Sequence, residues 1–166
     1  TTYPEPQGIE TMQPMQDSAA ARQLQLLKIY LKDASFELPM GAALFGLNVQ
    51  PVMKVDMDHN ATQLNAEQYE AVLRVSVTAQ IEGKTAFMVE VHQAGLFLAK
   101  GLNTMELDAV TNAFFPNSLF PYAREAVSDL VGKGGLPQLL LAPVNFDLLY
   151  AQRLQQRQAA AARPAG

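Results

Sequence analysis

The chain has 166 residues, of which 49% are hydrophobic and only 17% charged, with a formal net charge of -4 and no cysteine. That length suits one domain able to bury roughly two thirds of its unfolded surface, and the missing thiols exclude disulfides and thiolate metal sites. The acidic balance and the singly scattered Lys and Arg argue against nucleic acid, whose phosphates require a clustered basic face.

Residues 1–23 carry Pro4, Pro6 and Pro14 and show no hydrophobic periodicity, so the expectation is a disordered arm. They lack the basic and apolar regions of a secretory leader, and no segment is apolar enough to span or insert into a bilayer. The expected compartment is the cytoplasm. Over residues 26–38 the pattern becomes strand-like, with Leu27, Ile29 and Leu31 on a face that continues through Asp33, Ser35 and Glu37. An apolar face that turns acidic along its own length implies either a bulge or a strand passing from covered to exposed surroundings.

Residues 39–51 are too irregular for a strand, yet they include Leu44, Phe45, Leu47 and Val49. So apolar a connection is either buried or lines something. After Pro51, Met53, Val55 and Met57 alternate with Lys54, Asp56 and Asp58, which predicts a half-buried strand; residues 59–62 read as a turn. The organising stretch is 68–100. Two β-rich runs flank Glu82-Gly83, and a Gly in a two-residue connection permits the positive φ of a tight hairpin. On the first arm Ala71, Leu73, Val75, Val77 and Ala79 share a face opposite Glu70, Val72, Arg74, Ser76 and Thr78. On the second arm Phe87, Val89, Val91 and Gln93 oppose Ala86, Met88, Glu90 and His92, and Gln93-Ala94-Gly95 is expected to break or bulge the strand. Four strands without a helical crossover imply antiparallel pairing.

The remainder reads as helical. Asn103 and Glu106 have capping-box spacing and begin a helix lined by Met105, Leu107, Val110 and Phe114, which Pro116 is expected to end. A second helix carries Leu119, Tyr122, Ala123, Ala126, Val127, Leu130 and Val131 in one stripe and stops at the glycines following Val131. LPQLLLAP is an extended connector. Asn145 caps a last helix with Phe146, Leu149, Tyr150 and Leu154 on a narrow stripe, and residues 155–166 are expected to be a flexible tail.

Catalytic constellations are absent from this pattern. His59 and His92 are too far apart for a local ligand motif, and without cysteine no metal site or cofactor is expected. Gly132-Lys133-Gly134-Gly135 lacks phosphate-loop spacing and follows a helix. Asp56 and Asp58 read as surface acids. Binding without catalysis is the reading these residues favour.

Four segments, LKIYLKDASFELP, YEAVLRVSVTA, FPNSLFPYAREAVSDLV and LPQLLLAPVNFDLLY, resemble the SecB family of bacterial protein-export chaperones across residues 24–156. The resemblance implies an α+β fold with a four-stranded antiparallel sheet followed by helices, one domain over 24–154, assembled as a homotetrameric dimer of dimers. It implies a holdase for unfolded precursor proteins that delivers them to the SecA motor. By position, the motor-docking face falls on Asp33, Glu37, Met88 and Glu90, and assembly-sensitive positions on Val89, Val91 and Gln93. The client groove would involve Phe45, Met53, Val55, Met57, Val127, Leu130, Phe146, Leu149 and Tyr150. Two features depart from the family: Val49 stands where a Trp is common, and the tail carries Arg153, Arg157 and Arg163 in place of acids. Two alternatives stay open. One is a SecB-like chaperone dedicated to a single client such as an antitoxin; the other is a small-molecule-binding or hydrolytic α+β domain with its pocket in the 39–51 loop.

Overall fold

The computed structural model describes residues 21–164, so most of the expected N-terminal arm lies outside the described residues. Four strands, β1 (Gln23–Glu37), β2 (Val52–Gln63), β3 (Gln68–Ile81) and β4 (Lys84–Lys100), form one antiparallel sheet in the order β1-β4-β3-β2. The β3–β4 hairpin turns at Glu82 and Gly83, with φ of 49° and 76°. Positive φ at both central residues matches the right-handed twist of the flanking strands, and Gly meets that demand without a Cβ penalty.

Period-two alternation on β3 and β4 decides where the core sits. Leu73, Val75, Val77, Val89 and Val91 are sealed on the inner face, whereas Glu70, Arg74, Glu90 and His92 stay partly wet on the outer one. The inner face is covered by one continuous helical rod built from α1 (Thr104–Ala109), a π-helical turn (Val110–Phe114) and α2 (Phe115–Lys133). Its buried stripe, Phe115, Leu119, Ala123, Val127 and Val131, packs on β3 and β4, and Phe97 stacks on Phe115 with ring centroids 4.1 Å apart. At the other end, α3 (Phe146–Ala161) begins at Asn145, whose side chain accepts a hydrogen bond from the Leu148 amide.

Several expectations are corrected. Residues 59–62 are part of β2; the turn lies at 64–67, where the Asn65 side chain accepts hydrogen bonds from the Glu67 and Gln68 amides. Residues 93–95 do not interrupt β4, whose register with β3 is continuous there. Gly95 serves close packing instead, because a Cβ at that position would lie 2.7 Å from the Phe97 ring and 3.0 Å from Leu119. Two bulges do occur, but on β1, at Leu27 and Lys32. Pro116 does not end the first helix; the π-helical turn before it, in which the Phe115 amide donates to the Val110 carbonyl oxygen, carries the rod through into α2. Met105 and Tyr122, expected on the apolar stripe, point outward, Met105 with 82% of its surface exposed. Residues 41–46 of the irregular loop form a 3-10 turn, and α3 continues to Ala161, well into the span expected as a tail.

Val89, Val91 and Gln93 are buried within this one chain, with the Gln93 amide donating to the Tyr30 carbonyl oxygen at 3.0 Å. They hold α2 and β1 in place and present no free surface to a second copy. A charge at Val91 therefore attacks the fold of the subunit itself. The Val91→Asp variant should lose roughly 3 kcal/mol or more of unfolding free energy, read by denaturant titration; an unchanged midpoint would show that the inner face is not sealed.

Candidate functional site

Two surfaces collect the exposed groups that the fold leaves unexplained. The first is an apolar groove of about 480 Å³ at the hairpin end of the sheet. One wall is the irregular segment after β1, contributing Phe45, Leu47, Val49 and Pro51, with Met53 from the start of β2; the other is the connector after α2, residues 135–139; Ile81 and Phe87 floor it. The glycines that stop α2 shape this wall. A Cβ on Gly134 would collide with the Phe36 ring, and the Phe45 ring lies 3.4 Å from where a Cβ on Gly135 would stand. Phe45 is 57% exposed and Met53 44%, so apolar surface faces the opening. Among the described residues, no backbone hydrogen bond joins positions 48–51 or 136–144 to the rest of the protein, so both walls present free backbone N–H and C=O groups.

A smaller cavity of about 210 Å³ lies between β2, the π-helical turn and α3, lined by Met57, His59, Val144, Phe146, Leu149 and Tyr150. Its polar rim is a linked set of hydrogen bonds. His59 Nε2 lies 3.3 Å from Asn112 Oδ1, the Asn112 amide donates to Asp108, and Asp108 also accepts from the Tyr150 hydroxyl at 2.6 Å. Burial pushes the His59 pKa down, with the hydrogen bond to Asn112 opposing, and the bond to Asp108 pushes that of Tyr150 up.

The second surface is the outer face of the sheet. The Lys32 bulge shifts the phase of β1, so Ile29 and Leu31 look inward while Asp33 and Glu37 look outward. Register then sets Glu37 opposite Met88, Ser35 opposite Glu90 and Asp33 opposite His92. The four residues expected on one acidic face, Asp33, Glu37, Met88 and Glu90, are brought together. Arg74 and His92, which the sequence reading left aside, divide the acids of this face into two groups. Arg74 grips Asp58 at 2.8 Å and reaches Glu90 at 3.4 Å, while His92 Nε2 lies 2.7 Å from Glu90. The hydrogen bond from His92, assisted by Arg74, holds the Glu90 carboxyl below its usual range. Asp33 and Glu37 have no hydrogen-bond or ion-pair partner among the described residues. Farther along, Glu70 accepts from Tyr30 and Lys32, and burial together with that bond pushes the Tyr30 phenol up to about 12.

The remaining expected groove positions separate. Phe45 and Met53 line the large groove; Met57, Phe146, Leu149 and Tyr150 line the small cavity; Val55, 43% exposed, lies on β2 between Met53 and Met57. Val127, on the sheet-facing side of α2, is wholly buried and offers no contact surface, and Leu130 on the same helix is half-buried. Leu136 and Leu139, on the far wall, were missed; the apolar run LPQLLLAP with its two prolines was their signal. Among the described residues no helix is long and apolar enough to cross a membrane, and no His, Cys, Asp and Glu cluster has metal-binding geometry.

The His59 shift gives a sign for pH dependence. A histidine favoured neutral in the fold contributes stability that is present above its unfolded pKa, roughly 6.5, and is lost as pH falls from there towards the depressed folded value. Asp58, Glu70 and Glu90, also depressed, keep their contribution in full above the ordinary carboxylate range and lose it only as pH falls from that range downward. Unfolding free energy should thus decline between pH 7 and 5 in the parent and stay flatter in His59→Gln; parallel profiles would remove His59 as the source.

Comparison with known proteins follows the same lines. The family model described as preprotein translocase subunit SecB matches residues 17–157. A SecB-like chaperone of Mycobacterium tuberculosis, solved in complex with a ChAD peptide from the HigA1 antitoxin, superimposes with a TM-score of 0.58 at 20% identity, covering 73% of this chain and 90% of that one. A Streptococcus agalactiae protein of unknown function aligns with a TM-score of 0.37 at 8% identity, over 75% of this chain and 100% of that one.

Proposed function

The chain belongs to the SecB family, and from that premise we propose that it is an export chaperone that holds unfolded precursor proteins in an extended state and delivers them to the SecA motor. The groove carries this reading. It is open and apolar, and both walls expose unpaired backbone groups, which suits an extended chain offering apolar side chains and unpaired amides at once. Selection there is by backbone and hydrophobicity, so no particular sequence is required. Contacts of this kind are weak singly and multiply along a wrapped chain, by ~10²–10⁴ over one site.

The working assembly in this reading is a cytoplasmic homotetramer. Leu24 and Leu31 on β1, both on the inner face by register and Leu31 half exposed, leave apolar surface on what is an edge strand among the described residues, the kind of surface a second copy covers. The outer face with Asp33 and Glu37 uncompensated is the docking surface for the motor, where complementary charge sets orientation and on-rate.

A second reading, a chaperone dedicated to one client, is favoured by one observation, the likeness in fold to the mycobacterial SecB-like chaperone solved with an antitoxin peptide. Crosslinking the protein to clients in a cell extract and identifying them separates the two. Many unrelated unfolded precursors support the export chaperone; a single partner supports the dedicated one.

Phe45→Asp combined with Met53→Asp should cut suppression of precursor aggregation by about tenfold, since two charges then face every apolar segment that enters. Both side chains are largely exposed, so the thermal midpoint should move little. Undiminished suppression would place the client elsewhere. Asp33→Lys with Glu37→Lys should leave client holding and subunit assembly unchanged while weakening motor binding by about tenfold at low salt, from lost attraction plus like-charge repulsion. Equal motor affinity by calorimetry would return these acids to plain solvation.

A further inference from the structure

The small cavity beside α3 carries a charge that the fold does not use. Its floor is apolar, from Met57, Val144, Phe146 and Leu149, and its volume of about 210 Å³ equals roughly seven waters, room for one long apolar side chain. The acids around it are already matched: Arg74 grips Asp58 at 2.8 Å, and Asp108 accepts from Tyr150 and Arg157. Arg153, exposed on the rim, has no hydrogen-bond or ion-pair partner among the described residues. One apolar seat therefore lies beside one uncompensated cation. The chain itself supplies a matching segment. The described residues begin at Ala21, and Arg22 is held against α1, its Nη2 2.8 Å from Glu106 Oε1. From there Asn112, on the cavity wall, is six residues along the rod, about 9 Å, and the two sheet edges β1 and β2 stand three strand spacings apart, about 14 Å. Residues 1–20 contain Ile9, Met12 and Met15 together with Glu10 and Asp17, and no Lys or Arg. Met15 is seven residues from Arg22 and Met12 ten, extended reaches of about 23 and 33 Å that span the gap.

We propose that the N-terminal segment of the chain docks in its own small cavity, with Met12 or Met15 in the apolar seat and Glu10 or Asp17 against Arg153, and so competes with client segments for that surface. The docking stands on the cavity, the tether and the charges; the competitor role rests on the chaperone reading. In an extended segment residues two apart project to the same side, so Met12 is presented beside Glu10 and Met15 beside Asp17, each pair matching seat and cation together. The unbranched thioether fills irregular apolar gaps and favours contact with aromatic rings, here those of Phe146 and Tyr150. A segment tethered this closely is presented at an effective concentration in the millimolar range. Weak contact is then enough to keep the cavity occupied, and weak contact is also what an incoming chain can displace.

The chain has no cysteine and seven methionines, so Gln13→Cys gives a single site for a nitroxide label and the methionine methyls serve as separate ¹³C reporters by NMR. In the full chain at low salt the label should broaden Met57 far more than Met53 in the large groove or Met88 on the outer face. Arg153→Glu, at an exposed position, should restore the Met57 signal, and adding Glu10→Lys with Asp17→Lys to that variant should broaden it again. Absent broadening at Met57, stronger broadening at Met53, or equal broadening in the parent and in Arg153→Glu would overturn the docking. Broadening of Met57 in a mixture with label and ¹³C methyls on different chains would assign the segment to another copy and overturn docking within one chain. Met12→Asp with Met15→Asp lies outside the described fold and should tighten holding of an unfolded precursor about twofold, the gain from removing a competitor bound half the time. Unchanged holding in that variant would overturn the competition. Failure of parent and variant alike to hold any precursor would overturn the chaperone reading and the competitor role with it, the docking being decided by the NMR result alone.

Discussion

A single helical rod covers a four-stranded sheet on one side, and its width decides what the protein leaves open. Strands lie about 4.8 Å apart, whereas a helix with its side chains is roughly 10 Å across. One rod can therefore seal about two strands, and α2 lies on β3 and β4, where Leu73, Val75, Val77 and Val91 are wholly buried. Among the described residues, the flanking strands keep inner-face side chains that are only about half covered: Leu31 on β1, and Met53 and Val55 on β2. The irregular segments before β2 and after α2 close over part of that gap and leave the groove between them. Unsatisfied apolar surface is here a consequence of topology.

How legible this was depends on the range of the interaction. The hairpin, its turn, the core faces of β3 and the two Asn caps follow from local chemistry, since alternation and capping are encoded within a few residues. The phase of β1 was only half legible. Its apolar-to-acidic face announced a bulge or a change of surroundings, and the bulge at Lys32 is what places Asp33 and Glu37 on the side opposite to Ile29 and Leu31. Position by resemblance had gathered Asp33, Glu37, Met88 and Glu90; strand alternation alone had put the first two on the wrong side of Leu31.

What the sequence concealed was long-range. Nothing near Val89, Val91 or Gln93 states that α2, some thirty residues later, will cover them, so positions expected to be assembly-sensitive lie in the core of the subunit. Pro116 looked like a stop because a proline removes a helical donor; a π-helical turn before it carries the rod onward, and one long helix replaces two short ones. The pairing of Arg74 and His92 with Glu90 needs the register of neighbouring strands, and the groove needs two connectors about ninety residues apart in the chain to meet. Those are tertiary facts with no local signature.

Exposed strand edges and apolar strips ordinarily lead to aggregation, and the way this chain limits them bears on how it can hold other chains. β1 bulges twice, which disrupts the flat ladder that an unrelated strand would extend, and β2 alternates Met53, Val55 and Met57 with Lys54, Asp56 and Asp58. Charge along the outer side of β2 opposes indiscriminate stacking of sheets, while on the apolar side Met53 opens into the groove and Met57 into the smaller cavity. Part of the apolar surface is thus recessed in a groove that a flexible, unfolded chain can enter and a folded one cannot. In the proposed chaperone role, release requires no work from this protein: segments held by weak, repeated contacts exchange, and a partner that captures one end would draw the rest away step by step. The acidic outer face lies on the opposite side of the same sheet from the groove, so in the proposed role a partner docked on that face would leave the path to the groove clear.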